Sequence, residues 1–160
     1  IKNKPCYEKT FSLEKILSKK NILISEMKRQ SPSGGNLDLS LVPKDQAEMY
    51  IKAGSDAISV LTEKDYFMGS EKDLLDVLDI TKKRQVPVLQ KDFIIDEYQI
   101  HKAKNLGADC ILLITRILSI EKYLALVYFG PRFNLDFSTS HISYCLGYIS
   151  GMITNTFKIF

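Results

Sequence analysis

The chain has 160 residues, of which 45% are hydrophobic and 26% are charged, and its formal net charge is +3. This composition is typical of a soluble globular protein with one domain, and the mild, dispersed positive charge does not indicate nucleic-acid binding. The three cysteines follow no spacing pattern, so neither a disulfide framework nor a zinc site is predicted.

Short apolar runs in the first three quarters of the chain predict strands of a buried sheet. They are rich in β-branched residues or leucine and are apolar on both faces, as in parallel sheets that are covered on both sides. The runs are Ile22–Ser25, Ala57–Leu61, Val86–Leu89 and Cys110–Ile114. A short amphipathic helix over residues 11–20, with Ser12 as its cap, is predicted before the first run.

Helices are predicted between and after these strands from their start and stop signals. Proline suits the first turn of a helix, serine and aspartate cap its beginning, and glycine ends it. The signals are Pro43 and Gly54 for the first of these helices, Ser70 with Asp73 for the second, Asp96 and Gly107 for the third, and Ser119 for the fourth. The alternation of strand, loop and helix predicts an α/β fold with a parallel sheet.

Charged side chains stand where two of the predicted strands end. Glu26 and Lys28 follow the first strand and share one face with Ile22 and Ile24, since side chains alternate along an extended chain. Lys91 stands in the same position after the third strand. Desolvating an unpaired charge is costly, so three charges in such positions predict a functional site. For any one of them, an ordinary ion pair at a solvated strand end is the alternative.

Several motifs, in this order and at these intervals, are specific in combination. They are Glu26-Met-Lys28-Arg-Gln-Ser31-Pro-Ser33, Ile58-Ser-Val-Leu-Thr62-Glu63 with Tyr66-Phe67-Met-Gly69-Ser70, Lys91-Asp92-Phe93-Ile-Ile-Asp96-Glu-Tyr-Gln99-Ile100, and Gly107-Ala108-Asp109-Cys-Ile-Leu-Leu-Ile114. Together they resemble the indole-3-glycerol-phosphate synthase family, over about residues 11–126.

The resemblance implies a TIM (β/α)8-barrel, in which active sites lie at the C-terminal ends of the strands. Residues 1–126 would be the N-terminal part of that domain, with about four βα units. The implied activity is that of a carbon–carbon lyase of tryptophan biosynthesis. It closes an indole ring on 1-(2-carboxyphenylamino)-1-deoxyribulose 5-phosphate, with loss of carbon dioxide and water. This phosphosugar–anthranilate substrate is the implied partner, and no metal or organic cofactor is implied.

The resemblance also implies roles for particular residues. Lys91 matches the general acid for ring closure, Lys28 a lysine that contacts the substrate and assists dehydration, and Glu26 a carboxylate that orients both. Ser31 matches a contact to polar groups of the substrate. The apolar pocket for the aromatic ring matches Pro32, Phe67, Phe93, Leu112 and Ile114. Without the resemblance, Phe67 could equally be a plain loop aromatic, and the last three could be core residues.

Residues 127–160 do not continue this organisation. Arg132, Asp136 and Lys158 are their only formal charges, and neither helical periodicity nor a clear strand with site residues is evident, so an irregular, divergent tail is predicted. A complete barrel takes roughly 250 residues. The family's proton-accepting glutamate and its phosphate loops belong to later strands and cannot be placed here.

We therefore expect a truncated or frame-shifted relative of the synthase, and Ile1 at the start also suggests a fragment. A catalytically inactive remnant that acts at most as a binding or structural partner is the alternative. The paired motifs argue against another phosphosugar barrel enzyme, such as an isomerase.

The expected location is the cytoplasm. No signal peptide is visible, and the apolar stretch near residues 142–153 is shorter than the roughly 20 residues that cross a bilayer. No membrane partner is expected, whereas self-association through the open barrel edges is.

Overall fold

The computed structural model describes residues 21–129 and 135–140, together with Ile16 and Lys19. The predicted cap Ser12 and most of the helix predicted over residues 11–20 lie outside the described residues, as does most of the predicted tail.

Strands and helices alternate along the described part of the chain. The strands are β1 (Ile24–Met27), β2 (Gln30–Ser31), β3 (Gly35–Asn36), β4 (Ala57–Leu61), β5 (Val88–Lys91), β6 (Cys110–Ile114) and β7 (Asp136–Ser140). The helices are α1 (Pro43–Lys52), α2 (Glu71–Arg84), α3 (Glu97–Leu106) and α4 (Ile120–Phe129), and a 3-10 turn spans Thr115–Ile117.

Five of the strands form one parallel sheet in the order β1-β4-β5-β6-β7. Each strand therefore pairs with the next major strand of the chain, and a helix connects each pair. This is the repeat of a βα barrel, in which parallel neighbours require a crossover connection. It confirms the predicted α/β fold with a parallel sheet.

The sheet has two faces with different packing. The helices cover one face, where Ile58, Val60, Ile111 and Leu113 pack against apolar residues of α2, α3 and α4, among them Leu74, Val77, Ile100, Ala103 and Leu126. The opposite face, here called the inner face, carries a smaller buried cluster of Ile24, Ala57, Leu89 and Cys110. Because side chains alternate along a strand, the residues that follow this cluster by two and four positions also lie on the inner face.

Most of the predicted helix signals are confirmed. Pro43 opens α1, Asp96 forms a capping box with Gln99 at the start of α3, and Gly107 ends α3 in a left-handed conformation. Ser70 caps α2 by accepting a hydrogen bond from the Asp73 backbone N–H at 3.1 Å. Asp73 does not complete that box in the predicted way, because its carboxylate pairs with Arg29.

Two strands begin two residues later than predicted and extend through the charged residues. The Asp56 carboxylate accepts the Leu23 backbone N–H at 3.0 Å, so the ladder of β1 begins after Leu23. Pro87 has no N–H to donate, and β5 begins at Val88. As a result, Glu26 and Lys91 lie within the sheet, in β1 and β5, instead of just beyond it.

Two elements differ from the sequence-based expectations. Residues around Gly34 and Gly35, for which no strand is predicted, form the β2–β3 hairpin, in which Gly35 has φ +62°. The strand β7 lies within the predicted tail and pairs in parallel along β6. The sequence around Asp136–Ser140 has neither the apolar run nor the β-branched enrichment that marked the other four strands, so its side-chain pattern does not predict this strand. The boundary after residue 126 stays a prediction.

Among the described residues, no helix combines the length and apolar character that crossing a bilayer requires.

Candidate active site

Two lysines converge on one buried carboxylate at the C-terminal ends of β1 and β5. The Lys28 ammonium donates to Glu26 Oε1 at 2.6 Å, and the Lys91 ammonium donates to Glu26 Oε2. The Glu26 side chain is 8% exposed, against 33% for Lys28 and 25% for Lys91. Both predicted lysines therefore contact the predicted carboxylate, each through a different oxygen of Glu26.

This cluster keeps Glu26 ionised. Burial by itself would raise the pKa of the carboxyl, but the hydrogen bonds and charges of Lys28 and Lys91 outweigh it, so the pKa of Glu26 lies below its usual value. The carboxylate in turn fixes where the two ammonium groups lie. Such a set can deliver protons from two directions to a ligand above the inner face, while Glu26 stays negative.

The lowered pKa of Glu26 predicts a pH-dependent stability. The carboxylate contributes stability above its unfolded-state pKa of about 4.3, and this contribution is lost as the pH falls through the folded-state value. We expect urea midpoints measured from about pH 6 to about pH 3 to fall more steeply for the native chain than for the Glu26→Gln variant. Parallel curves for the two proteins would contradict this prediction.

An apolar cavity of about 50 Å³ adjoins the Lys91 side chain. Its lining consists of Leu61, Glu63, Phe67, Lys91, Asp92, Phe93 and Ile114. The Phe67 and Phe93 rings lie 6.5 Å apart, and Tyr66 meets Phe93 edge-on at 6.3 Å. Three of the predicted apolar pocket residues, Phe67, Phe93 and Ile114, therefore line one cavity beside the predicted acid.

The other predicted binding residues lie elsewhere around the cluster. Leu112 is 5% exposed and stands two residues before Ile114 on the inner face of β6, deeper than the cavity lining. Pro32 is exposed in the β2–β3 hairpin. The Ser31 hydroxyl accepts the Gly34 backbone N–H at 2.9 Å, so it stabilises the hairpin turn. Neither Ser31, Pro32 nor Leu112 lines the cavity.

A salt bridge that the sequence does not predict connects the loops that flank the site. Arg29, the neighbour of Lys28, donates to both carboxylate oxygens of Asp73 at 2.6 and 2.9 Å. It also donates to the carbonyl of Met68 at 3.3 Å and to that of Leu41 at 3.2 Å. The sequence gives no signal for this salt bridge, because Arg29 and Asp73 are far apart in the chain and arginine and aspartate are both common at exposed positions.

A second network supports the loop after β5. The Thr62 hydroxyl donates to Asp92 Oδ2 at 2.6 Å and accepts from the Gln90 side-chain amide at 3.1 Å. Asp92 Oδ1 accepts the Phe93 backbone N–H at 2.8 Å. These bonds place Phe93, and with it one wall of the cavity. Asp92 belongs to the Lys-Asp-Phe motif, which is the signal that marks it in the sequence.

The loop that carries Phe67 includes a strained residue. Met68 has φ +53°, a left-handed conformation that costs a side chain with Cβ about 1–2 kcal/mol and that asparagine tolerates better. Met68 is 44% exposed, so replacing it removes little packing. We expect Met68→Asn to raise the unfolding free energy by up to about 1 kcal/mol in urea titrations. Met49→Asn, on the exposed side of α1, is the control and should be neutral or destabilising; equal effects would contradict the strain argument.

No group of three or more His, Cys, Asp or Glu side chains in the described part of the chain is arranged to hold a metal ion. Since the acidic groups near the cavity are already paired with lysines, hydroxyls or backbone N–H groups, what the site offers a ligand is acid–base chemistry from Lys28 and Lys91 beside an aromatic wall.

The parallel βα repeat with a lysine–carboxylate cluster at the strand ends defines this chain as part of a TIM-barrel protein. Its structure resembles that of an HpcH/HpaI aldolase from Desulfitobacterium hafniense, with a TM-score of 0.56 and 19% sequence identity over 76% of this chain and 42% of the aldolase. At this identity the likeness concerns the fold alone. It supports the predicted barrel class.

The particular family follows from sequence. The model of the indole-3-glycerol phosphate synthase family matches residues 2–139, so the chain belongs to that family. The match confirms the resemblance carried by the motifs and extends into β7.

Individual relatives agree. The indole-3-glycerol phosphate synthase of Carboxydothermus hydrogenoformans is 50% identical over 61% of this chain and 36% of its own length. Those of Leptospira interrogans and Aquifex aeolicus are each 44% identical over 71% of this chain, and over 44% and 43% of their own lengths. The chain thus spans less than half the length of these relatives.

Proposed function

We propose that this chain provides the acid half of an indole-3-glycerol-phosphate synthase active site. The reaction is closure of an indole ring on 1-(2-carboxyphenylamino)-1-deoxyribulose 5-phosphate in tryptophan biosynthesis, with loss of carbon dioxide and water. The observation that carries the proposal is the convergence of Lys28 and Lys91 on the buried Glu26, beside an aromatic cavity.

In the proposed mechanism, Lys91 is the general acid for ring closure. Its ammonium gives a proton to the ribulose carbonyl oxygen as the ring carbon that bears the carboxylate attacks the carbonyl carbon. The carbonyl oxygen becomes a hydroxyl, and the cation left on the aromatic system is neutralised when carbon dioxide departs. The nearby negative charge of Glu26 favours that cation while it exists.

Lys28 is the proposed second acid. Dehydration requires a proton on the new hydroxyl, which then leaves as water, and the remaining cation must lose a proton from the neighbouring ring carbon to form the indole. The Lys28 ammonium, which lies on the other oxygen of Glu26, would supply the first proton, and the proton-accepting glutamate that the family carries on a later strand would take the second. With one third of its side chain exposed, Lys28 can reach a substrate above the inner face. Glu26 orients both acids by accepting from each.

The aromatic ring of the substrate is proposed to lie between Phe67, Phe93 and Ile114, where flat apolar contacts suit it. Leu112, which is buried two residues before Ile114 in β6, is proposed to pack under this pocket. Ser31 and Pro32, in the hairpin after β1, are proposed to contact the polar part of the substrate. In this role the Ser31 hydroxyl would have to donate outward, which its hydrogen bond from Gly34 leaves it free to do, because that bond uses only an acceptor lone pair.

A catalytically inactive remnant is the second candidate, and one observation favours it. Sites for ligands of this size usually enclose about 300–1,000 Å³, whereas the cavity beside Lys91 has about 50 Å³. The phosphate site of TIM barrels is built after strands seven and eight, and the sheet described here has five strands. Further walls are required before the complete substrate can be held.

An activity assay separates the two candidates. The purified chain is mixed with the substrate, alone and together with a separately expressed C-terminal half of the Leptospira interrogans relative, and indole fluorescence is recorded. Turnover in either mixture that disappears in the Lys91→Ala variant supports the proposed function. No turnover in either mixture supports the inactive remnant.

We propose in addition that the chain self-associates through β1 and β7, the outermost strands of the sheet among the described residues, because strand edges favour such pairing. Sedimentation velocity over a range of concentrations tests this, and a monomer throughout would contradict it.

A further inference from the structure

The loop between β4 and α2 is organised around the carboxylate of Glu63. Glu63 Oε1 accepts the backbone N–H of Asp65 at 2.8 Å, and Oε2 accepts those of Tyr66 at 2.8 Å and Phe67 at 3.2 Å. One side chain therefore satisfies three consecutive backbone donors of a tight turn. Hydrogen bonds to an ionised acceptor are the strong ones, so this turn is held firmly.

The same residue also closes the base of the loop. The backbone carbonyl of Glu63 accepts the Gly69 N–H at 2.8 Å. These hydrogen bonds hold the backbone on both sides of Phe67, whose ring lies against Phe93 and lines the cavity beside Lys91. Glu63 lines the cavity too, which leaves two roles for it: an acid or base of the reaction, or a support for the aromatic wall.

We infer that Glu63 is a positioning residue, which sets the affinity of the site for the aromatic ring by holding Phe67 in place. This inference rests on the proposed function, since it assigns the cavity to the anthranilate part of the substrate. The geometry favours the supporting role, because three of the roughly four acceptor positions of the carboxylate hold backbone N–H groups of the turn, and a proton on either oxygen would compete with those hydrogen bonds. Glu63 acts through Phe67 and needs no contact with the reacting atoms.

The first test needs no ligand. In Glu63→Ala, hydrogen exchange at the amides of residues 65–67 should become at least tenfold faster, and the nuclear Overhauser contact between the Phe67 and Phe93 rings should be lost. In Glu63→Gln, whose amide oxygen can still accept from the turn, both changes should be smaller. Glu121→Gln removes the same charge from α4 and should change neither. Unchanged exchange and an intact ring contact in Glu63→Ala would overturn the inference.

The second test uses anthranilate as the probe, with its dissociation constant measured by fluorescence titration at constant pH. Phe67→Ala and Glu63→Ala should each raise the dissociation constant by about three- to tenfold, which corresponds to the loss of one aromatic contact. In the Phe67→Ala background, Glu63→Ala should have no further effect, because its contribution passes through that ring. Independent, multiplying effects would overturn the inference, as would a Glu63→Gln variant that loses as much affinity as Glu63→Ala.

The two tests keep failure of the inference apart from failure of the proposed function. If the native chain does not bind anthranilate while Glu63→Ala still releases the loop, the positioning of Phe67 holds and the assignment of the cavity to the aromatic ring is wrong. If anthranilate binds and Phe67→Ala weakens it while Glu63→Ala does not, the proposed pocket holds and the role of Glu63 is wrong.

Discussion

Replacing Lys91 by alanine is expected to lower indole formation by about 10²–10⁴-fold, the usual contribution of a positioned general acid. The structure adds a second consequence. Without Lys91, the nearly buried Glu26 carboxylate keeps Lys28 as its partner and loses the other, so its pKa rises and the chain loses about 1–3 kcal/mol of stability. Indole fluorescence in the active mixture and urea unfolding at neutral pH measure the two effects.

Lys102→Ala is the matched control for that experiment. Lys102 is also a lysine paired with a glutamate, but its partner Glu71 is exposed on the surface and neither residue lines the cavity. Exposed pairs contribute little to stability, so this variant should keep its rate and its urea midpoint. If Lys91→Ala behaved like Lys102→Ala, Lys91 would not be the acid.

Gly69→Ala is expected to be the most destabilising small substitution in the loop that carries Phe67. A Cβ at this position would lie 2.1 Å from the carbonyl oxygen of Leu61 and 2.9 Å from that of Glu63. Both obstacles are backbone atoms, so the loop must move away from β4 to relieve the clash. We expect a loss of about 3 kcal/mol or more in urea unfolding, at the upper end of overpacking effects.

Gly54→Ala is the control for Gly69→Ala. Gly54 has φ +90°, so an added Cβ is strained there, but it would meet no atom within 4 Å. Its cost should therefore be limited to backbone strain of about 1–3 kcal/mol and should leave anthranilate binding unchanged. Gly69→Ala should also weaken anthranilate binding, because it displaces Phe67. Equal costs and equal binding for the two variants would show that the contact with Leu61 does not matter.

The order of the strands explains why part of a barrel is enough to form the cluster of Lys28, Lys91 and Glu26. In a parallel sheet the C-terminal ends of neighbouring strands lie side by side, so β1 and β5, separated only by β4, bring Glu26 and Lys91 together without any later strand. A phosphate clamp depends on strands seven and eight. Under the proposed function, the two acids are thus local to the sheet described here, whereas binding of the phosphate depends on later strands of the barrel.

The class of fold, the helix boundaries and the charged residues of the candidate site were predictable from the amino-acid sequence. Four apolar runs at βα spacing predicted a parallel sheet, and Asp96 and Gly107 marked the ends of α3 as observed. These features depend on local chemistry, such as capping and side-chain alternation, that each segment carries alone. The motifs around Glu26 and Lys91 identified the family, which the match over residues 2–139 confirms.

Which of these residues lie in contact depends on long-range pairing and could not be predicted. Whether Glu26 accepts from both lysines depends on the register between β1, β4 and β5, and no short segment contains that information. Two other features are also long-range. The salt bridge joins the side chains of Arg29 and Asp73, and the strand β7 pairs through its backbone with β6. The turn around Glu63 is local in sequence, but its importance became visible only when Phe67 was placed beside Lys91, because a carboxylate that accepts three backbone N–H groups has no distinctive letter pattern.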